Sequence, residues 1–324
     1  MTNRVFTPKT DRQDMRSAYC DALIAAGEAD ARVVAIDCDL SASMGTGRFR
    51  AQFPERYFNL GIMEANACSM AAGLSVTGFV PFVHSFAVFA SRRMADQIFL
   101  SCAYAGLNVK IVGGDAGVSA AVNGGTHMAF EDLGVLRSFV GLRLFEPTDN
   151  TMMKLLIPQI AGQYGVDYIR MPRRSVVKIY EEGEVFTPGK AKRLREGKDV
   201  TILASGVLVS EALIAANLLA AEGIEAEVLD CFTVQPLDAD MVAESAARTG
   251  CVVTAENHNV TGGLGSAAAE ALGERRPVPL ERVGVKGSFG EVGSQDYLMD
   301  RFGLRAGEIC AAAHRVIERK KQIV

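Results

Sequence analysis

The sequence predicts an α/β protein built as two αβα domains, and three observations carry that reading. Short, continuously apolar runs such as Val33-Val34-Ala35-Ile36, Val109 to Val112 and Val200 to Leu203 are of the kind found in parallel strands buried on both faces. Between them lie longer stretches with apolar residues at helical intervals, so strands and helices alternate along the chain. With 324 residues the chain exceeds what one core usually organises, and two domains of roughly 150 residues each are expected. The segment from Met171 to Lys198 is charged, proline-marked and weakly periodic, the character of an interdomain connection. The expected division is therefore a first domain over 11–175, a linker over 176–198 with room for one short strand, and a smaller doubly wound domain over 199–324.

Thr10 and Gln13 have the spacing of a capping box, and Met15, Ala18, Tyr19, Ala22, Leu23 and Ala26 behind them predict a first helix. The strand Val33 to Ile36 exits into the polar run Asp37 to Ser43, and in open parallel sheets ligands gather beyond such carboxyl ends. A short strand from Tyr57 breaks at Gly61 and leads into a small-residue helix from about Glu64 to Leu74. Phe79 to Val83 reads as the next strand, followed by a helix that opens with Phe86 and Phe89, three residues apart and so on one face. After the strand Val109 to Val112 a glycine-rich loop runs from Gly113 to His127, and its glycines permit close backbone approach to a ligand. Arg143 to Phe145 and Asp167 to Arg170 are strands, with Pro147-Thr148-Asp149 capping the helix between them. The second domain reads as strand Val200 to Leu203, helix Val209 to Glu222, strand Ala226 to Leu229, helix Ala239 to Arg248 and strand Val252 to Ala255. Gly262-Gly263-Leu264-Gly265 then opens an alanine-rich helix, Val278 to Val283 is a strand, and two helices finish the chain.

Composition excludes several classes. A net charge of −4 without a basic block argues against nucleic acid or an anionic membrane as partner. The seven cysteines are scattered singly in apolar contexts, so reduced, buried thiols in a cytoplasm are expected, with neither a disulfide framework nor a metal site. The N-terminal residues lack a signal-peptide core, and the apolar stretch Val76 to Ala90 is broken by Pro81 and His84, so no membrane span is expected.

The stretch Tyr57 to Asp96 offers an acid at one helix start and an aromatic pair at the next. That combination suits a flat, nitrogen-bearing ring needing a proton partner at its edge and a stacking surface on its face. Each residue alone also fits a plainer role: Glu64 as an acid compensating a helix dipole, Phe86 and Phe89 as core. Gly262 to Gly265 echoes part of a dinucleotide fingerprint but lacks its spacing and its downstream acid. His127 ends the glycine-rich loop, His84 and His258 are ambiguous, and His314 falls in a terminal helix; none makes the paired spacing of a metal site.

Taken together, Gly61-Ile62-Met63-Glu64-Ala65-Asn66, Ala71 to Leu74, Pro81-Phe82, Phe86-x-x-Phe89, Asp96-Gln97-Ile98 and Gly124-Gly125-Thr126-His127 with Glu131-Asp132-Leu133 resemble the pyrimidine-binding domain of transketolases. Ala255-Glu256-Asn257-His258, Gly262 to Gly265 and Phe289-Gly290-Glu291 resemble their C-terminal domain. The resemblance runs in order over about residues 11 to 320. It implies thiamine diphosphate chemistry, in which a two-carbon ketol unit passes from a ketose to an aldose. Glu64 would exchange a proton with the aminopyrimidine ring, Phe89 would stack on it, and Phe86 and Arg92 would complete its pocket. Ser43, Asn123, His127 and Arg170 match positions that contact sugar or phosphate, with His127 also counted as catalytic. Two departures mark this chain: Asn123 stands where the family commonly has Asp, and Asp115 where it has a histidine.

A full transketolase begins with a further domain that binds the diphosphate through a metal, using a Gly-Asp-Gly element followed by an Asn, and no such element occurs here. The resemblance therefore implies the C-terminal subunit of a split transketolase, dependent on an N-terminal subunit for the diphosphate and Mg2+, in a heterotetramer with two copies of each chain. The rival is the beta subunit of a 2-oxo-acid dehydrogenase, which carries His-Ser-Gln where this chain has Gly-Gly-Thr-His. A partner subunit that keeps the fold without the chemistry is the non-enzymatic alternative.

Overall fold

A computed structural model describes residues 5–322. Its strands are β1 (Val33–Asp37), β2 (Tyr57–Asn59), β3 (Val80–Phe86), β4 (Lys110–Gly114), β5 (Arg143–Phe145), β6 (Asp167–Arg170), β7 (Lys192–Arg195), β8 (Val200–Ala204), β9 (Ala226–Asp230), β10 (Thr233–Gln235), β11 (Val252–Asn259) and β12 (Leu280–Val285). They form two sheets, ordered β10-β5-β6-β4-β3-β1-β2 and β12-β11-β8-β9-β7. Neighbours are parallel except at one edge of each sheet, where β10 runs antiparallel to β5 and β7 antiparallel to β9.

The first sheet shows why continuous apolar runs mark its strands. Successive side chains point to opposite faces, and both faces are covered. Val33 and Ala35 of β1 and Val112 of β4 join a cluster with Tyr19, Leu23, Met152, Leu156 and Ile160 from the helices Met15–Ala29 and Asn150–Gly162. Ile36 and Ile111 face the other way, toward Ala67, Ala71 and Leu133. On the second sheet Val228 and Val253 face Leu213, Ile309 and Val316, while Leu229 and Val252 face Val242 and Leu264.

Two local expectations are corrected and one strand is added. The first helix is capped by Asp14, whose carboxylate accepts from the Ser17 amide at 2.8 Å, and not by Thr10, which is drawn into a bridge with Val177. β3 runs through Phe86, so Phe86 and Phe89 straddle a strand-to-helix junction instead of sharing a helix. β10, far along the second half of the sequence, crosses back to complete the first sheet; three residues at an edge leave no periodic signal.

The glycine-rich stretches serve the contact between the two sheets. A Cβ at Gly117, whose φ is +56°, would lie 2.2 Å from Asn257 Oδ1, and one at Gly125 would lie 2.1 Å from the Gly290 carbonyl oxygen. The close approach they permit is thus to the second half of the chain. Asn257 fastens the loop further: its Oδ1 accepts from the Val118 amide at 3.0 Å and its Nδ2 donates to the Ala116 carbonyl at 3.1 Å. Gly262 to Gly265 likewise receive the protein's own carboxylate, since Glu256 accepts from the amides of Leu264 and Gly265 at 2.7 and 2.9 Å. A helix N-terminus suited to an anion is already filled. Burial nonetheless outweighs those bonds and pushes the Glu256 carboxyl up to about 7.

Candidate active site

The parallel strands β1, β3, β4 and β6 all end at the same edge of the first sheet, where Asp37 lies opposite His84, Phe86 opposite Gly114 and Gly113 opposite Arg170. Asp39, Asp115 and Ala121, on the loops leaving β1 and β4, have φ of +62°, +56° and +48°. Such left-handed backbone at non-glycine residues persists only where surrounding contacts enforce it. Asp39 is held by Asn59, whose side chain both donates to it and accepts from its amide at 3.1 Å.

Glu64 opens the helix Glu64–Val76 and is 4% exposed. Ser85 Oγ lies 3.4 Å from its Oε1, and Arg93 Nη1 donates to Oε1 at 3.0 Å and Oε2 at 3.2 Å. Phe86 and Phe89 sit tilted at 53° with ring centroids 6.3 Å apart. His127 meets both edge-on, at 5.7 Å from Phe86 and 5.3 Å from Phe89. Glu64, Phe86, Phe89 and His127 therefore meet in one place, brought there by a strand end, two helix starts and the loop that Asn257 fastens.

Arg92 pairs with an acid outside this group. Its Nε lies 3.3 Å from Glu131 Oε1, while Arg93 covers Phe89, with its guanidinium carbon 3.9 Å from the ring centre. The Arg93 amide continues the helical turn by donating to the Phe89 carbonyl at 3.1 Å. The i, i+4 spacing from Phe89 is the signal that could have found it.

Asp115 and Asn123 are partners: Asn123 Nδ2 donates to Asp115 Oδ2 at 3.2 Å, and Arg173 binds the same carboxylate through Nε at 3.0 Å and Nη2 at 2.7 Å. Burial raises the Asp115 carboxyl above its usual range, with Arg173 opposing. Arg173 also lies 5.6 Å from the Phe86 ring centre. Beside it opens a cavity of about 560 Å³ lined by Asp14, Arg16, Arg173, Arg174 and Ser175. Arg16 donates to the Ala42 carbonyl at 3.0 Å, which sets the half-buried Ser43 next to this arginine group.

Arg170 is a correction to the expected substrate contacts. It is fully buried, donating to Asp132 at 2.8 Å, to Glu146, and to the carbonyls of Ala129 and Asn257 at 3.0 and 2.7 Å. It shares a face of β6 with Tyr168, whose hydroxyl donates to the same Asp132 oxygen at 2.8 Å. The guanidinium thus joins the first sheet to β11 and has no free face toward Phe86 or His127. Arg173, three residues on, is the arginine that faces Asp115 and Phe86.

The remaining histidines resolve into structural roles. His84 Nδ1 donates to the Ile36 carbonyl at 2.8 Å and Nε2 accepts from Tyr19 at 2.6 Å, within the core. His258 is buried between Gly134 and Asn259, and burial lowers its pKa to about 4. His314 pairs with Glu222 on the surface. Among the described residues no group of three or more His, Cys, Asp or Glu side chains is arranged to hold a metal ion.

The geometry offers one end of a binding site: a buried carboxylate, an aromatic face and an imidazole edge. A planar, donor-bearing group fits it, because the Arg93 guanidinium already makes both the stack and the carboxylate contact. An aminopyrimidine, flat and carrying ring-edge donors, has the same requirements.

Known proteins show the same pattern. Residues 11–178 match the model of the transketolase pyrimidine binding domain, and residues 189–309 that of the transketolase C-terminal domain. A 6-deoxy-6-sulfo-D-fructose transketolase subunit of Clostridium sp. (strain MSTE9) is 53% identical over 98% of this chain and 99% of that protein. Human transketolase is 33% identical over 95% of this chain but only 49% of its own length. A solved structure described as a split gene transketolase, inactive beta4 tetramer, is 42% identical and superposes with a TM-score of 0.87 over 95% of this chain and 99% of that one.

Proposed function

This chain belongs to the transketolase family, and from that premise we propose that it is the thiamine diphosphate-binding C-terminal subunit of a split transketolase, working with an N-terminal subunit that supplies the diphosphate site and Mg2+. The observation that carries the reading is the meeting of Glu64, Phe89 and His127 at the carboxyl edge of the first sheet. Thiamine diphosphate, when bound, supplies the carbon nucleophile that cleaves a ketose beside its carbonyl and carries the two-carbon unit to an aldose.

The roles of the chain's own residues follow from their positions. Glu64, buried at a helix start, gives and takes a proton at the pyrimidine ring nitrogen. Phe89 presents the stacking face and Phe86 the wall behind it, while His127 stands at the rim where a sugar hydroxyl can reach its imidazole. Asn123 and Asp115, fixed to each other and to Arg173, form the polar wall that reads the ketose. The cavity lined by Arg16, Arg173 and Arg174, with Ser43 adjoining, suits a phosphate or sulfonate at the far end of the donor. The named substrate of the Clostridium relative carries a sulfonate at that end.

An assembly with two copies of each chain fits the exposed apolar side chains Ile62, Met63, Phe99, Leu100 and Tyr104, which flank the start of the Glu64 helix and the helical segment packed beside it. All seven cysteines are buried and free, which supports a reducing, cytoplasmic setting; no helix among the described residues is long and apolar enough to cross a membrane.

The test is reconstitution. Purified with its partner and given thiamine diphosphate and Mg2+, the chain should transfer ketol units, with the fastest turnover for donors bearing a terminal phosphate or sulfonate. Glu64→Gln should keep the assembly intact and lower turnover by roughly 10²–10⁴-fold. A pair that binds cofactor but transfers no ketol unit from any donor would support the non-enzymatic alternative.

A further inference from the structure

Arg93 makes two contacts at once, and they coincide with those proposed for the cofactor ring. Its guanidinium lies 3.9 Å above Phe89, and one of its nitrogens reaches both oxygens of Glu64. Glu64 is 4% exposed, and its remaining side-chain partner is Ser85 Oγ at 3.4 Å. A buried carboxylate with so little support is costly unless a cation or a donor-bearing ring meets it. Arg93 meets it from a position that is itself half exposed, on a long, flexible stem. An aminopyrimidine stacked on the face of Phe89 that Arg93 covers, and bonded to Glu64, cannot share that volume with the guanidinium.

We propose that Arg93 is an internal placeholder for the aminopyrimidine, occupying the stack on Phe89 and the carboxylate of Glu64 in the unloaded subunit and swinging into solvent when the cofactor enters. The inference rests on the function proposed above and adds to it a self-occupied state that competes with cofactor. The apparent affinity for cofactor is then the intrinsic affinity reduced by the fraction of molecules in which Arg93 has left the site. If the placeholder is in position about nine-tenths of the time, its removal tightens binding on the order of 10-fold. Because the Arg93 partner of the competing ion pair is half exposed, salt weakens the pair.

The experiment measures equilibrium binding of thiamine diphosphate, with Mg2+ present, to the assembled pair of subunits by titration calorimetry, and the association rate by stopped-flow fluorescence. Arg93→Met keeps the apolar stem and removes the charge; Arg93→Gln serves as a second variant in case the first impairs assembly. Both should bind the cofactor about 10-fold more tightly and associate faster than the wild type, and the gap should narrow as KCl is raised. Binding equal to or weaker than wild type in both variants overturns the placeholder and makes Arg93 an ordinary cofactor or substrate contact. Absence of cofactor binding in the wild-type pair overturns the proposed function together with this inference, so the two failures are distinguishable.

Discussion

Arg170 and Arg173, three residues apart at the end of β6, separate structural from site duties. Arg170 lies between two buried carboxylates, Asp132 and Glu146, and bonds two carbonyls as well. Removing one partner of such a cluster leaves uncompensated buried charge, so Arg170→Met should lower unfolding stability by about 3–5 kcal/mol in urea titrations. Arg173 is 28% exposed on its side chain and faces Asp115 and Phe86. Arg173→Ala should change the urea midpoint far less and instead raise KM for the anionic donor, with kcat less affected. A large stability loss at 173 and a pure KM effect at 170 would reverse the assignment.

At the scale of elements, the two sheets are tied by buried acids with shifted protonation. Asp230, the last residue of β9, accepts from Thr148 at 2.6 Å and from Tyr180 at 2.7 Å, drawing together the loop after β5, the connection and the second sheet. Burial raises its pKa from 3.8 to about 7. A carboxyl whose folded value is raised contributes stability that is fully present below its unfolded value and lost as pH rises through the folded one. Between about pH 4 and 7 this group should therefore cost the folded state a few kcal/mol. Glu256 acts in the same direction and the buried His258 in the opposite one, losing stability as pH falls from 6.5 toward 4. Comparing Asp230→Asn with wild type isolates the first term: the variant should gain relative stability between pH 5 and pH 8 in urea titrations, and a pH-independent difference would exclude the shift. Most strands and helices were legible because apolar runs and helical periodicities are local properties. Glu64 and the pair Phe86 and Phe89 stood out in the sequence because they fall at or near the starts of two elements, and their grouping with His127 came from the family resemblance. The errors were of another kind. Whether an arginine points outward or into a core depends on strand parity and on carboxylates distant in sequence, which is why neither the burial of Arg170 nor the contact of Arg93 with Glu64 and Phe89 was legible.

For the whole molecule, the exposed apolar residues around the Glu64 helix argue that the chain works in an assembly. Leu100→Glu, at a side chain 55% exposed, should leave the isolated chain's urea midpoint within about 0.5 kcal/mol of wild type. In the presence of the N-terminal subunit it should shift sedimentation toward smaller species; unchanged assembly would place the contact surface elsewhere. The crossing of β10 into the first sheet has a consequence for synthesis. β5 finds its outer neighbour only when residues 233–235 have been made, long after the rest of that sheet. A nascent chain paused in the connection between the sheets carries a naked β-edge, the kind of template on which other chains nucleate. Chaperone demand during translation should therefore peak before Thr233 leaves the ribosome, and a fragment truncated within 176–198 should aggregate even though it contains every residue assigned to the cofactor.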